Sequence, residues 1–103
     1  MSEKRKHQRF IIEQAIEFDL KREHFFRAKG INVSEGGLLC ETEYEATPLS
    51  KVEISFTLPR PNITIQTEGV IRHVKKKGKL FTVGISFVDF PEEYKNDLLK
   101  FLR

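Results

Sequence analysis

Two arginines near the start of the chain, Arg5 and Arg9, have a type and a spacing that suit the binding of a phosphate or a guanine base. A guanidinium group is planar and permanently charged, so it can hold a phosphate through two hydrogen bonds, bond O6 and N7 of guanine, or stack on a base. Both arginines belong to the run Lys4–Arg9, which has four formal positive charges and no acidic residue. The spacing alone decides little, because a chain with seven arginines contains about 0.5 such pairs by chance. A solvated basic leader is the alternative interpretation.

A second pattern, Asn32-x-Ser34-x-x-Gly37 with Gly36 beside it, follows a predicted strand. In a chain of this composition only about 0.02 such matches are expected by chance, so this pattern is informative. Asn32 and Ser34 are two residues apart and therefore share one face of a strand, where both can point at one ligand. The glycines leave bare backbone that a flat base can approach closely. An ordinary turn, which also favours Asn, Ser and Gly, is the alternative.

In this order, the two patterns resemble the signature of the PilZ domain family, which is Arg-x-x-x-Arg followed by Asp/Asn-x-Ser-x-x-Gly. The segments 69–71 and 84–87 and the end of the chain are also similar to the family, so the resemblance covers essentially the whole chain. It implies a mainly β fold, a small six-stranded antiparallel β-barrel with a C-terminal α-helix. It also implies a bacterial receptor for cyclic di-GMP, a dianion with two guanines and two phosphates.

The resemblance gives the N-terminal segment three ligand contacts. Arg5 and Arg9 would clasp the guanines and phosphates from a flexible arm, and Lys4 stands at a position that often contributes to the family's pocket. An arm that orders on ligand binding would change the surface at one end of the barrel, and this is the signalling event that we expect. The chain would then act as an adaptor that signals to a separate effector protein.

The resemblance also assigns roles to the turn. Asn32 would read a guanine edge, Ser34 would bond the phosphate or the base, and Gly37 with Gly36 would give a guanine room against the backbone. Asp is the other residue that the family has at position 32, and a carboxylate can accept from N1–H and N2–H of guanine together. The Asn32 amide offers one acceptor and a pair of donors instead.

A later position of the family pattern, which is often aromatic, falls near Arg72 and His73. Either side chain can stack on a base, and the sequence does not choose between them. The predicted site therefore contains neither.

The elements that must position these groups have an apolar period of two, which predicts β-strands. We predict six strands, at about 10–20, 25–33, 38–42, 52–58, 63–74 and 81–87. In the first strand the even positions are mostly apolar, so Glu13 and Glu17 are expected to face solvent. The parity of the fifth strand changes near Gly69, which predicts a bulge or a barrel corner there. Consecutive antiparallel strands in so short a chain most simply close into a barrel.

The last part of the chain has a helical pattern. Asp89 is expected to cap this helix and Pro91 to lie in its first turn. Its apolar stripe comprises Tyr94, Leu98, Phe101 and Leu102. We predict a single domain with an arm at 1–9, a barrel at 10–88 and a helix at 90–102 that seals an open face or an end of the sheet. The cluster of lysines at 75–79 is expected to form a solvated hairpin turn with Gly78, and a docking patch is the alternative.

Composition limits the function classes. Of the 103 residues 39% are hydrophobic and 32% are charged, which is typical of a globular domain, and the net charge is only +3. No apolar run exceeds three residues and no secretory signal is visible, so we expect no membrane insertion. The single Cys40 fits a reducing cytoplasm and a place in the core. One cysteine and three scattered histidines predict neither a metal site nor a cofactor.

Three other functions are alternatives to a cyclic di-GMP receptor. A small barrel that binds single-stranded nucleic acid would need exposed aromatics among basic residues, and Phe25 and Phe26 beside Arg27 and Lys29 offer a faint version. A PilZ-like adaptor that has lost its ligand is the second alternative. An enzyme is disfavoured, because the sequence contains no evident nucleophile–base pair and no paired carboxylates. Because the aromatic and basic pattern at residues 25–29 is faint, we do not expect a nucleic-acid polymer as the partner.

Overall fold

The computed structural model describes residues 10–19, 22–59 and 62–102 of the chain. It contains six β-strands, a 3-10 turn and one α-helix. The strands are β1 (Phe10–Asp19), β2 (Arg22–Val33), β3 (Gly37–Thr42), β4 (Lys51–Leu58), β5 (Ile63–Lys77) and β6 (Leu80–Val88). The 3-10 turn covers Glu92–Tyr94, and the helix α1 covers Lys95–Leu102.

The six strands form a closed barrel in the order β1-β2-β3-β6-β5-β4, and every neighbouring pair is antiparallel. This confirms the predicted fold class. The alternating strands turn their apolar side chains inwards, and the least exposed include Phe56, Leu58, Ile65, Ile71 and Val83. The side chain of Leu98 on α1 is also fully buried, and the Phe101 ring packs edge-on against Phe10 at 6.3 Å. The helix therefore packs against one end of the barrel.

A bulge in β1 overturns the predicted facing of its second half. The pairing of β1 with β2 shifts register between Ile12 and Ala15, so the inward positions change from even to odd. Glu17, which was expected in solvent, is fully buried. Its carboxylate accepts hydrogen bonds from the hydroxyl of Tyr44 and from the backbone N–H of Thr47, the latter at 2.7 Å. These donors compensate for the loss of water around the buried carboxylate.

The predicted bulge at Gly69 was wrong in its position. Gly69 pairs with Val52 on one side and with Phe87 on the other, and no register shift occurs there. Gly69 is instead required by close packing, because a Cβ would approach the Ser86 carbonyl oxygen at 2.7 Å. The shift lies three residues later, where Ile71 pairs with Ile85 but His73 pairs with Gly84.

Two other predicted details differ in part. Only residues 78 and 79 form the β5–β6 turn, while Lys75, Lys76 and Lys77 belong to β5. Gly78 has a φ of 66°, a conformation that costs glycine little. The C-terminal segment begins with the 3-10 turn, and Asp89 does not cap it, because Asp89 itself has a φ of 51° and Pro91 holds the cap position. Leu102 is exposed rather than part of the buried stripe.

The helical segments of the described chain are the 3-10 turn and α1. None of them has the length and the apolar character that a bilayer crossing requires.

Candidate functional site

The turn between β2 and β3 is held by its own serine. The Ser34 backbone N–H donates to the Gly37 carbonyl at 2.8 Å, and the Gly36 N–H donates to the Ser34 hydroxyl at 3.3 Å. The same hydroxyl lies 3.4 Å from the Gly37 carbonyl, to which it can donate. Serine is favoured in such turns because its hydroxyl replaces a backbone partner. These hydrogen bonds stabilise the shape of the turn.

The two glycines of this turn have different environments. A Cβ on Gly37 would overlap the carbonyl oxygen of Ile85, so Gly37 is required by the close approach of β3 and β6. A Cβ on Gly36 would meet nothing within 4 Å, so the fold itself does not need glycine there. The open space beside Gly36 is where a flat ligand can reach the backbone.

Asn32 stands at the end of β2, just before this turn. The pairing of β2 with β3 shifts register between Gly30 and Asn32, so a bulge lies directly before Asn32. The Asn32 side chain is exposed and has no hydrogen bond to the described residues. Its amide is therefore available to a ligand as both donor and acceptor.

The bulge in β5 brings two further side chains to the same place. Arg72 is the extra residue of this bulge, and both Arg72 and His73 are exposed. The Arg72 Nε donates to the Ser86 hydroxyl at 3.1 Å, which holds the guanidinium beside β6. The His73 ring lies against the backbone of β6, because Gly84 has no side chain that would overlap it. Bulges commonly re-aim side chains in this way beside functional sites.

These residues line one shallow cleft of about 290 Å³. Its walls are the β2–β3 turn on one side and the β5 bulge with β6 on the other. The described lining residues that carry polar side chains are Asn32, Ser34, Arg72, His73 and Ser86, and none of the described lining residues is acidic. With a cation and several neutral donors, the cleft favours an anionic ligand.

The N-terminal residues of the predicted site, which are Lys4, Arg5 and Arg9, lie outside the described residues. Phe10 pairs with Gly30, two residues before Asn32. The chain therefore enters the barrel at the end where the cleft lies.

Sequence reasoning left Arg72 and His73 outside the predicted site. The signal that could have found them is the loss of apolar alternation after Ile71, followed by a basic pair. The described residues contain no cluster of His, Cys, Asp and Glu side chains that could hold a metal ion.

The fold is a small antiparallel β-barrel with a cleft lined by polar and basic side chains at one end. A scan against protein families identifies the PilZ domain over residues 3–103, and the chain therefore belongs to the PilZ domain family. Cyclic di-GMP binding is the known role of this family. Comparisons with curated proteins and with solved structures gave no match.

Proposed function

We propose that this protein is a cyclic di-GMP receptor whose ligand binds in the cleft between the β2–β3 turn and the β5 bulge. One observation carries the proposal: Asn32 and Ser34 of the motif face Arg72 and His73 across a cleft whose described lining contains no acidic residue, in a member of the PilZ domain family.

Each described residue has a role that suits its chemistry. The Asn32 amide bonds a guanine edge, and the bare backbone at Gly36 lets that base approach. The Arg72 guanidinium, already oriented by Ser86, contacts a phosphate with its terminal nitrogens. The His73 ring stacks on a purine face. Ser34 supplies a hydroxyl close to both.

The basic arm completes the site in this proposal. Arg5 and Arg9, with Lys4 before them, close over the ligand from the end of the barrel at which Phe10 enters. The arm then loses conformational freedom, which lowers the net affinity but changes the surface that a partner meets. The output passes to a separate effector protein, and the domain itself has no catalytic role.

Calorimetric titration with cyclic di-GMP at low salt tests the proposal. The wild type is expected to bind, while Arg9→Ala and Asn32→Ala each lose about tenfold or more in affinity. Arg27→Ala is the matched control, because Arg27 is an exposed arginine on β2 outside the cleft. No binding by the wild type, or equal binding by all four proteins, would overturn the proposal.

The ordering of the arm has its own test. Hydrogen exchange with saturating ligand is expected to protect the amides of residues 3–10. An arm that gains no protection, in a protein that binds the ligand, would contradict the arm's role and leave the receptor function standing.

A further inference from the structure

One strand of the barrel has a free edge. β2 begins at Arg22, but its pairing with β3 begins only at Lys29. β3 itself ends at Thr42. Between Arg22 and Ala28, β2 therefore pairs with β1 on one side and with no described strand on the other.

The direction of the backbone groups on this edge follows from one hydrogen bond. The Thr42 hydroxyl donates to the Arg27 carbonyl at 2.5 Å, so the C=O and the N–H of Arg27 point towards the free edge. Backbone groups repeat this direction every second residue, so those of Phe25 and Glu23 face it too. The described loops donate no backbone hydrogen bond to these two residues.

A groove of about 690 Å³ runs beside this edge. One wall is β2 from Phe25 to Lys29, and the far wall includes Leu80 at the start of β6. Phe25 is 64% exposed, although it is a large apolar residue. The groove thus lies in line with β3, beyond its end at Thr42, and combines unpaired backbone with apolar side chains.

Positive charge is concentrated at one end of the groove. Within the lining, Arg27 and Lys29 are balanced by Glu41 and Glu43. Lys77 pairs with Leu80 on the far wall, and residues 75–79 of this hairpin end contain four exposed lysines and no acidic residue. An occupant whose acidic side chains reach this end therefore has the complementary charge.

We propose that this groove binds an extended acidic segment of a partner protein, which adds to the barrel as a strand beside β2. Main-chain hydrogen bonds to Phe25 and Glu23 would supply affinity, as in other cases of strand addition. Apolar side chains of the segment would contact Phe25 and Leu80, and its carboxylates would face the lysines. The site does not share residues with the cyclic di-GMP cleft, so the inference stands whether or not that ligand binds.

The test uses the full chain and three labelled peptides of about eight residues, the length of an ordinary strand. The first alternates valine with aspartate, the second alternates valine with lysine, and the third is the first with proline at its centre. Fluorescence polarisation is expected to show binding of the first, with at least about tenfold weaker binding of the other two. Hydrogen exchange is expected to protect the Phe25 amide only with the first peptide.

Matched variants locate the contact. Phe25→Pro removes a backbone N–H that no described strand uses, and it is expected to reduce peptide binding about tenfold or more. Ile11→Ser is the control, because it alters an equally exposed apolar residue outside the groove and should leave binding unchanged. Lys77→Glu is expected to weaken binding, and Lys51→Glu, an exposed lysine on β4, is its control. If Phe25→Pro lowers stability, the comparison of Lys77→Glu with Lys51→Glu tests the proposal in its place.

Several outcomes would overturn the proposal. If no peptide binds, the basic residues merely protect the edge against unwanted pairing. If light scattering shows a dimer that Phe25→Pro dissolves, the occupant is a second copy of the chain. If a single-stranded oligouridylate of about ten nucleotides binds here more tightly than the acidic peptide, the groove is a nucleic-acid site.

Discussion

The imidazole ring of His73 lies where a β-carbon on Gly84 would stand, so the absence of a side chain on β6 fixes the position of a ring on β5. The substitution Gly84→Ala is therefore expected to push the His73 ring out of the cleft. Because that ring is at the end of an exposed side chain that can rotate away, the free energy of unfolding should change by less than about 1 kcal/mol. Affinity for cyclic di-GMP should fall, since the stacking surface has moved.

A double-mutant cycle isolates this effect. Gly84→Ala and His73→Ala are each titrated with cyclic di-GMP, as is the variant that carries both. If Gly84 acts through the His73 ring, adding Gly84→Ala to His73→Ala costs nothing further. Independent, additive losses would show that Gly84 has another role in the cleft.

The neighbouring glycines of the β2–β3 turn are expected to separate stability from binding. Gly37→Ala forces a methyl group into the Ile85 carbonyl and should lower the free energy of unfolding by about 1–3 kcal/mol. Gly36→Ala meets open space and should leave stability within about 0.5 kcal/mol of the wild type. Gly36→Ala should nevertheless weaken cyclic di-GMP binding, because its methyl group keeps a base away from the backbone.

Urea unfolding and calorimetry on the same two proteins check this pair. Each variant serves as the control for the other. A Gly36→Ala protein with unchanged affinity would show that the ligand does not approach the backbone at this turn.

Sequence patterns were sufficient for the fold but not for the places where its regularity breaks. The period of two predicted all six strands, because alternation follows directly from one buried face. It could not show that β1 changes its inward parity after Ile12, because the pattern contains apolar residues at both parities. The burial of Glu17 depends on Tyr44 and Thr47, which lie about 30 residues away in the chain and come close only in the closed barrel.

Only the motif residues of the candidate site could be predicted from the sequence. Asn32 and Ser34 stand in a recognisable spacing, whereas Arg72 reaches the cleft through a bulge that the sequence placed at Gly69. The loss of apolar alternation after Ile71 marks an irregularity, but the pairing with the neighbouring strands decides which residue is the extra one.

The guanidinium of Arg72 is expected to contribute both affinity and salt dependence. Arg72→Ala should weaken cyclic di-GMP binding by about 1.5–3 kcal/mol, the range for a hydrogen bond with a charged partner. Arg72→Lys should recover only part of this loss, since an ammonium group cannot keep the Ser86 contact and bind a phosphate in two places. Titrations at several salt concentrations should show a shallower dependence for Arg72→Ala. An unchanged slope would indicate that the guanidinium does not contact a phosphate.

The buried carboxylate of Glu17 makes the Tyr44 hydroxyl important for stability. Tyr44→Phe removes one of its two donors and should lower the free energy of unfolding by about 1–3 kcal/mol. Tyr94→Phe provides the control, because the Tyr94 hydroxyl has no hydrogen bond to the described residues, and should cost less than about 0.5 kcal/mol. Urea unfolding at neutral pH compares the two, and equal losses would contradict the role given to Tyr44.

The thiol of Cys40 predicts a loss of stability in alkali. Burial raises the pKa of Cys40 from 9.0 to about 12. Above pH 9 the unfolded chain releases this proton while the folded chain retains it, so rising pH favours unfolding until about pH 12. The stability advantage of the wild type over Cys40→Ala should shrink by about 1.4 kcal/mol per pH unit in this range.

Denaturant unfolding of both proteins at about pH 8 and about pH 10.5 measures this difference. Other groups titrate in both proteins alike, so they cancel in the comparison. A difference that does not change with pH would mean that the thiol is not buried as the structure shows.

The order of the strands has a consequence for how the barrel folds. β1, β2 and β3 form one local meander and β4, β5 and β6 form another, and the two halves meet at the β3–β6 and β1–β4 seams. Seams between distant segments are the slow step of folding, since chain entropy is lost before their contacts form. Asn32 belongs to the first half and Arg72 to the second, so the cleft exists only after the β3–β6 seam has closed. A ligand that binds there contacts both halves of the barrel at once and should slow its unfolding.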